Sequence, residues 1–105
     1  TDYCDSVNIA KLLQPSLPPP PDVGAAICRL FAQLASYRLT HGDLKASNLL
    51  WAGSAIELID LDAFCAHRVE ATFQRAWRSD RVRLLANWPV KSALHCWLED
   101  NLPPA

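Results

Sequence analysis

Eight consecutive residues concentrate the chemistry of this chain: His41-Gly42-Asp43-Leu44-Lys45-Ala46-Ser47-Asn48, with Asp60 twelve residues beyond them. Asn48 and Asp60 offer an amide oxygen and a carboxylate. Such hard oxygen donors hold Mg²⁺ while the ion keeps its waters and binds substrate phosphates. Asp43 is a carboxylate able to take the proton of an attacking hydroxyl, and Lys45 beside it is a mobile cation for phosphate oxygens. A base, a cation and two metal donors at one mouth are the parts that phosphoryl transfer requires, since that reaction depends on positioning and charge neutralisation. Asp43 alone would cap a turn and Asn48 alone would finish a strand edge; it is their joint spacing with His41, Leu44 and Asp60 that points to a site. His41 is expected to hydrogen-bond backbone beside the metal rather than to react. Asp62 admits two roles, a second metal ligand or a carboxylate that orders the loop after Asp60.

These residues need a frame. Leu49-Leu50-Trp51 and Ile56-Glu57-Leu58-Ile59 are expected as two short strands around Ala52-Gly53-Ser54-Ala55. With Gly53 and Ser54 at the tip, 49 would pair with 59, 50 with 58 and 51 with 57. Asn48 and Asp60 would then stand opposite each other, Cα atoms about 5 Å apart, and converge on one Mg²⁺. Ahead of the loop, Ala26, Ile27, Leu30, Phe31 and Leu34 recur at helical spacing, which predicts a helix over 23–39 capped by Asp22. A second helix is expected from Val69 to about Trp88, where Pro89 stops it, and a last one from about Val90 to Leu98. Trp77, Leu84, Leu85 and Trp88 belong to the expected core. Asp5 to Leu13 suggests one or two helical turns. Five prolines within 15–21 end them and predict an extended surface connector. The class is α+β, mainly α, with a short hairpin between helices.

The pattern H-x-D-L-x-x-x-N, intact in order and spacing from His41 to Asn48, resembles the catalytic loop of protein kinases. Ile59-Asp60-Leu61-Asp62 resembles the segment where kinases place their metal-binding Asp. Two positions depart: Gly42 stands where protein kinases commonly have Arg, and Leu61-Asp62 stands for Phe-Gly. These departures are similar to bacterial kinase-like phosphotransferases that act on small molecules or glycolipids. The Arg- and Trp-rich run Arg75-Ala76-Trp77-Arg78-Ser79-Asp80-Arg81, leading to Ala86-Asn87-Trp88, resembles the lipopolysaccharide core (Kdo/heptose) kinases. The resemblance covers roughly Thr1 to Trp88 and only the carboxyl-terminal lobe of that fold. No Gly-rich loop or strand-borne Lys precedes the loop, and Thr1-Asp2-Tyr3 falls where the hinge between lobes would end.

The resemblance therefore implies that 1–105 is a lobe cut at its hinge, inactive alone, from an enzyme using ATP and Mg²⁺. Asp43 and Lys45 would be its catalytic residues. Lys45, Asn48 and Asp60 would contact the nucleotide, and Asn48 and Asp60 the metal. The acceptor would be a sugar or glycolipid of the lipopolysaccharide core. Another small-molecule or protein kinase of the same fold, or a non-catalytic interaction module, remain as alternatives. The coding sequence upstream of Thr1 separates them.

Half the 105 residues are hydrophobic and a fifth are charged, a globular rather than disordered balance. A net charge of −1 excludes attraction to nucleic acid by bulk charge. No apolar run approaches the roughly 18 residues of a membrane span, so a soluble, cytoplasmic chain is expected. Cys4, Cys28, Cys65 and Cys96 lie too far apart for a zinc ribbon and are expected as reduced, mostly buried thiols. Arg68, Arg75, Arg78, Arg81 and Arg83 oppose only Glu70 and Asp80 within 67–83. This run is either a solvated face, with Arg78 or Arg81 paired to Asp80, or a patch for an anionic acceptor at the inner membrane surface.

Overall fold

Residues 7–103 are described by a computed structural model. In chain order they form β1 (Val7–Asn8), α1 (Ile9–Leu12), α2 (Pro21–Ser36), β2 (Leu39–Thr40), a 3-10 turn (Ala46–Asn48), β3 (Leu49–Trp51), β4 (Ile56–Leu58), β5 (Cys65–Ala66), α3 (Glu70–Leu85) and α4 (Ala93–Asn101). The result is a small α+β domain, about half helical, with two small antiparallel sheets ordered β1-β3-β4 and β2-β5.

The two long helices meet through aromatic rings. Phe31 on α2 meets Trp77 on α3 edge to face, centroids 5.0 Å apart, and Phe73 stacks on Trp77 at 5.8 Å. All three are buried, as are Ile27, Leu84, Leu85 and Trp88, so the expected core positions hold. Leu94 and Leu98 carry α4 into the same core. Burial of these rings adds to that of the surrounding Leu, Ile and Val side chains in driving the fold.

Element ends differ from the pattern for local reasons. Asp22 does not cap α2: Pro20 occupies the cap, Pro21 the first turn, where its missing N–H costs nothing, and Gly24 N–H reaches Pro20 O at 2.8 Å. The helix stops at Ser36 rather than at 39, because Arg38 turns left-handed (φ 56°) and sends Leu39–Thr40 into β2 against Cys65–Ala66. α3 begins at Glu70 and ends at Leu85, and α4 starts at Ala93, capped by Ser92, whose Oγ accepts the His95 N–H. The segment expected as helix from Asp5 splits into β1, paired with Leu50 and Trp51, and the single turn α1. The proline connector is not wholly at the surface. Pro19 is buried, and Pro15 O accepts the Leu94 N–H at 3.1 Å, tying the connector to the start of α4.

Two of the thiols expected inside, Cys65 and Cys96, are exposed, and Cys28 is half-buried; all three are free. Cys65 follows the solvent side of a two-residue edge strand, and Cys96 lies on the outer face of α4. Cys4 and the hinge-like Thr1-Asp2-Tyr3 lie outside the described residues. Among the described residues no helix is long and apolar enough to cross a membrane.

Gly24 gives a direct test of this packing. A helix-interior Gly→Ala change ordinarily gains about 1 kcal/mol. Here the added Cβ would lie 2.7 Å from Trp97 Cη2 and 3.2 Å from Pro19 Cγ. Gly24→Ala is expected to lower stability by about 1 kcal/mol in urea unfolding instead.

Candidate functional site

Asp80 organises the loop that carries Asp43. It falls on the inward stripe of α3 with Phe73, Trp77 and Leu84, and is only 3 % exposed. Its carboxylate accepts the N–H of His41 at 2.8 Å and of Gly42 at 3.0 Å. Burial pushes its carboxyl above the ordinary Asp range, and these two bonds, with Arg83 nearby, pull it back. The expected pairing of Asp80 with Arg78 or Arg81 is not formed. An inward carboxylate meets backbone donors, and Arg81 turns instead to the carbonyl oxygen of Glu99 on α4, at 2.6 Å.

The β2-β5 pair delivers the loop to that anchor. His67 N–H reaches Arg38 O at 2.9 Å, and Thr40 Oγ1 lies 2.7 Å from His67 Nε2. Arg38 then spans to Glu70 at 2.8 Å and sits over the Phe73 ring. Fully buried, His41 has the structural role expected of it. Its Nε2 lies 2.8 Å from Ile59 O, and its Nδ1 accepts the Asp43 N–H at 3.2 Å. A carbonyl can only accept, so the proton sits on Nε2 and Nδ1 is the acceptor. One ring thus ties the loop to the segment entering Asp60.

Asn48 closes the circuit. Its Nδ2 donates to Asp43 O at 2.8 Å, which leaves its amide oxygen available to a cation. The Asp43 carboxylate, half-exposed, lies between two cations: Lys45 Nζ is 3.7 Å from one oxygen and Arg83 Nη1 is 3.3 Å from the other. Arg83 enters from the last turn of α3, a contact the local sequence around Asp43 does not disclose. Asp80 was legible in principle, since 73, 77, 80 and 84 recur at helical spacing, with an acid among three large apolar residues.

The hairpin register differs from expectation by one residue. Leu49 pairs with Leu58, Leu50 with Glu57 and Trp51 with Ile56. The tip is Gly53-Ser54 as expected, with Gly53 (φ 90°) at the first central position and Ala52 N–H reaching Ala55 O at 3.0 Å. A two-residue tip there sets 52 against 55 and therefore 49 against 58, so the pairing expected from it is off by one. Asn48 therefore faces Ile59, whose N–H it accepts at 3.0 Å, and Asp60 lies one residue beyond the ladder in a left-handed turn (φ 58°). The expectation that ladder pairing alone opposes Asn48 to Asp60 is corrected. A turn, not a pleat, directs Asp60. Leu49 is fully buried, and Ile56 and Leu58 are half-buried.

The donor set suits Mg²⁺ better than a transition metal. Among the described residues no three His, Cys, Asp or Glu side chains cluster as a metal cage. An amide oxygen and one carboxylate match an ion that takes few protein ligands beside substrate phosphates. Asp60 is exposed, and no hydrogen bond or ion pair to its carboxylate is found among the described residues. Among the described residues, Asn48 Oδ1 and the Asp60 carboxylate are oxygen donors without a protein partner.

Gly42 also has a physical reason. Its φ is 88°, and a Cβ there would stand 2.6 Å from Ala63 Cβ and 2.8 Å from Ala63 O. A residue with a side chain has no room here. No family model, curated protein or solved structure matches this chain.

Two substitutions test the anchor. Asp80→Ala leaves two N–H groups without an acceptor and is expected to cost about 3 kcal/mol. For Asp80→Asn the sign follows from the raised carboxyl. A folded-state value above the unfolded one contributes stability below about pH 3.9 that is lost as pH rises through the folded value. The deficit of Asp80→Asn relative to the parent chain, measured by urea unfolding, should therefore shrink between pH 4 and pH 7. A deficit that grows over that interval contradicts the assignment.

Proposed function

We propose that this chain is the carboxyl-terminal lobe of a protein-kinase-like phosphotransferase, which moves the γ-phosphoryl group of ATP to a sugar hydroxyl of the lipopolysaccharide core. The observation that carries this reading is the bonded circuit around Asp43. Asp80 holds the backbone at His41 and Gly42, His41 bridges Asp43 N–H to Ile59 O, and Asn48 holds Asp43 O. A carboxylate presented on so constrained a loop, with the residue entering Asp60 bonded to the same ring, is what a reaction ruled by positioning needs.

In this reading the acceptor hydroxyl hydrogen-bonds to the Asp43 carboxylate, which takes its proton as the oxygen bonds to phosphorus. The products are ADP and a phosphate monoester. Lys45 and Arg83 flank that carboxylate. They restrain its rotation and offer positive charge to the phosphate being transferred. Asn48 and Asp60 would hold Mg²⁺, which neutralises phosphate charge when bound. Membrane contact belongs to this same proposal. The exposed Arg75 and Arg78 would lie toward the anionic headgroups of a glycolipid-bearing surface, where each cation near the surface adds about 1 kcal/mol.

Kinetics on the intact gene product separate the roles. Asp43→Asn removes the proton acceptor but leaves Asn48 and Asp60, so turnover should fall by about 10²-fold or more with little change in ATP affinity. Asp60→Asn should instead raise the Mg²⁺ concentration needed for activity. Near-normal turnover of Asp43→Asn, or its rescue by added Mg²⁺, would sink the assignment.

A further inference from the structure

Charge is segregated around α3. Opposite its buried stripe of Phe73, Trp77, Asp80 and Leu84, the outward arc carries Ala71, Arg75, Arg78, Val82 and Ala86, all exposed. The helix holds two acids, and neither lies on that arc. Glu70 pairs with Arg38, and Asp80 points inward to the His41-Gly42 backbone. Arg75 and Arg78 form no ion pair among the described residues, and neither does Lys91 beyond the helix. In a chain of net charge −1, such a face is a local surplus of positive charge that an anionic partner would meet.

The same side of the molecule offers aliphatic groups to solvent. Val82 is 65 % exposed and Val90 73 %. Val90 and Lys91 are the central residues of a turn closed by Ser92 N–H to Pro89 O at 2.9 Å, a place where polar residues ordinarily stand. Val82, Ala86 and Val90 border one concavity between the end of α3 and α4, so the two valines rise from the same corner. Arg81 and Glu99 line it with opposite charges, and the sign of the corner is set by Arg75, Arg78 and Lys91 around it.

Exposed aliphatic tips beside unpaired cations match a bilayer rich in anionic lipid. Its acyl boundary takes the valines, and its headgroup phosphates take the cations. A nucleic acid duplex would use the cations but gain nothing from the valines. We propose that this corner docks on an anionic bilayer, Val82 and Val90 entering the interface while Arg75, Arg78 and Lys91 contact headgroup phosphates. The proposal deepens the glycolipid-acceptor reading, on which it rests for the choice of a membrane as partner. It assigns the residues that enter the membrane, none of which belongs to the Asp43 loop.

The test sediments the full chain with phosphatidylcholine vesicles, and with vesicles in which a quarter of the lipid is phosphatidylglycerol, without ATP or Mg²⁺. The anionic vesicles should bind at least about tenfold more tightly, and raising NaCl from about 0.1 M to about 0.5 M should weaken that binding. Arg75→Gln with Arg78→Gln should weaken it by about 20-fold, and Val82→Gln with Val90→Gln by about tenfold. All four side chains are exposed, and urea unfolding checks that each variant folds as the parent does. Equal binding to neutral vesicles, undiminished binding of the valine variant, or equally tight binding to a DNA duplex would overturn the proposal. Vesicle binding that follows this pattern supports the surface whatever the kinetics of Asp43→Asn return, and its absence overturns the surface even where those kinetics hold.

Discussion

A carboxylate buried in an apolar helix interface is tolerated only when donors surround it. Asp80 meets that condition by taking two backbone N–H groups from the His41-Gly42 peptide units. The requirement runs both ways. The loop cannot leave without stranding a buried charge, and α3 cannot settle without the loop. The packing of Phe31, Phe73 and Trp77, which holds α3 against α2, is thereby coupled to the geometry of a surface loop some forty residues earlier. Cooperative folding and a rigid candidate site are consequences of one interaction.

The same anchoring explains the local backbone. With both N–H groups drawn to Asp80, the chain at Gly42 passes through positive φ against Ala63, and only a residue without a Cβ fits. The Gly at position 42 is therefore a steric consequence of how closely the segment after Asp60 returns to the loop. Asp60, also left-handed, makes the complementary bend at the other side of His41's bridge to Ile59. One imidazole thus bonds to the segments next to both positive-φ turns, of which only the one at Asp60, a residue with a side chain, carries a conformational cost.

The arginines of α3 do not form one surface. Arg81 turns inward to α4, Arg83 reaches Asp43, and Arg75 and Arg78 remain in solvent. Local net charge alone treats them as equivalent. Helical rotation of about 100° per residue separates them into three environments, one structural, one at the candidate site and one exposed to solvent.

Residue type and spacing alone determined the α+β class, the two long helices, the hairpin strands and the segment 41–48 as the chemically dense part of the chain. Apolar periodicity carries that information locally, because a face must be buried whatever it packs against. His41 as a backbone-binding residue followed from the same local reading. Tertiary structure alone decided the left-handed turn at Asp60, the donors that satisfy Asp80 and the reach of Arg83. Each depends on a partner distant in sequence: the β2-β5 pairing that ends α2 early, the loop that satisfies Asp80, the Ala63 backbone that excludes a side chain at Gly42. Such choices are settled by which long-range contacts close, and no local window contains both halves of them.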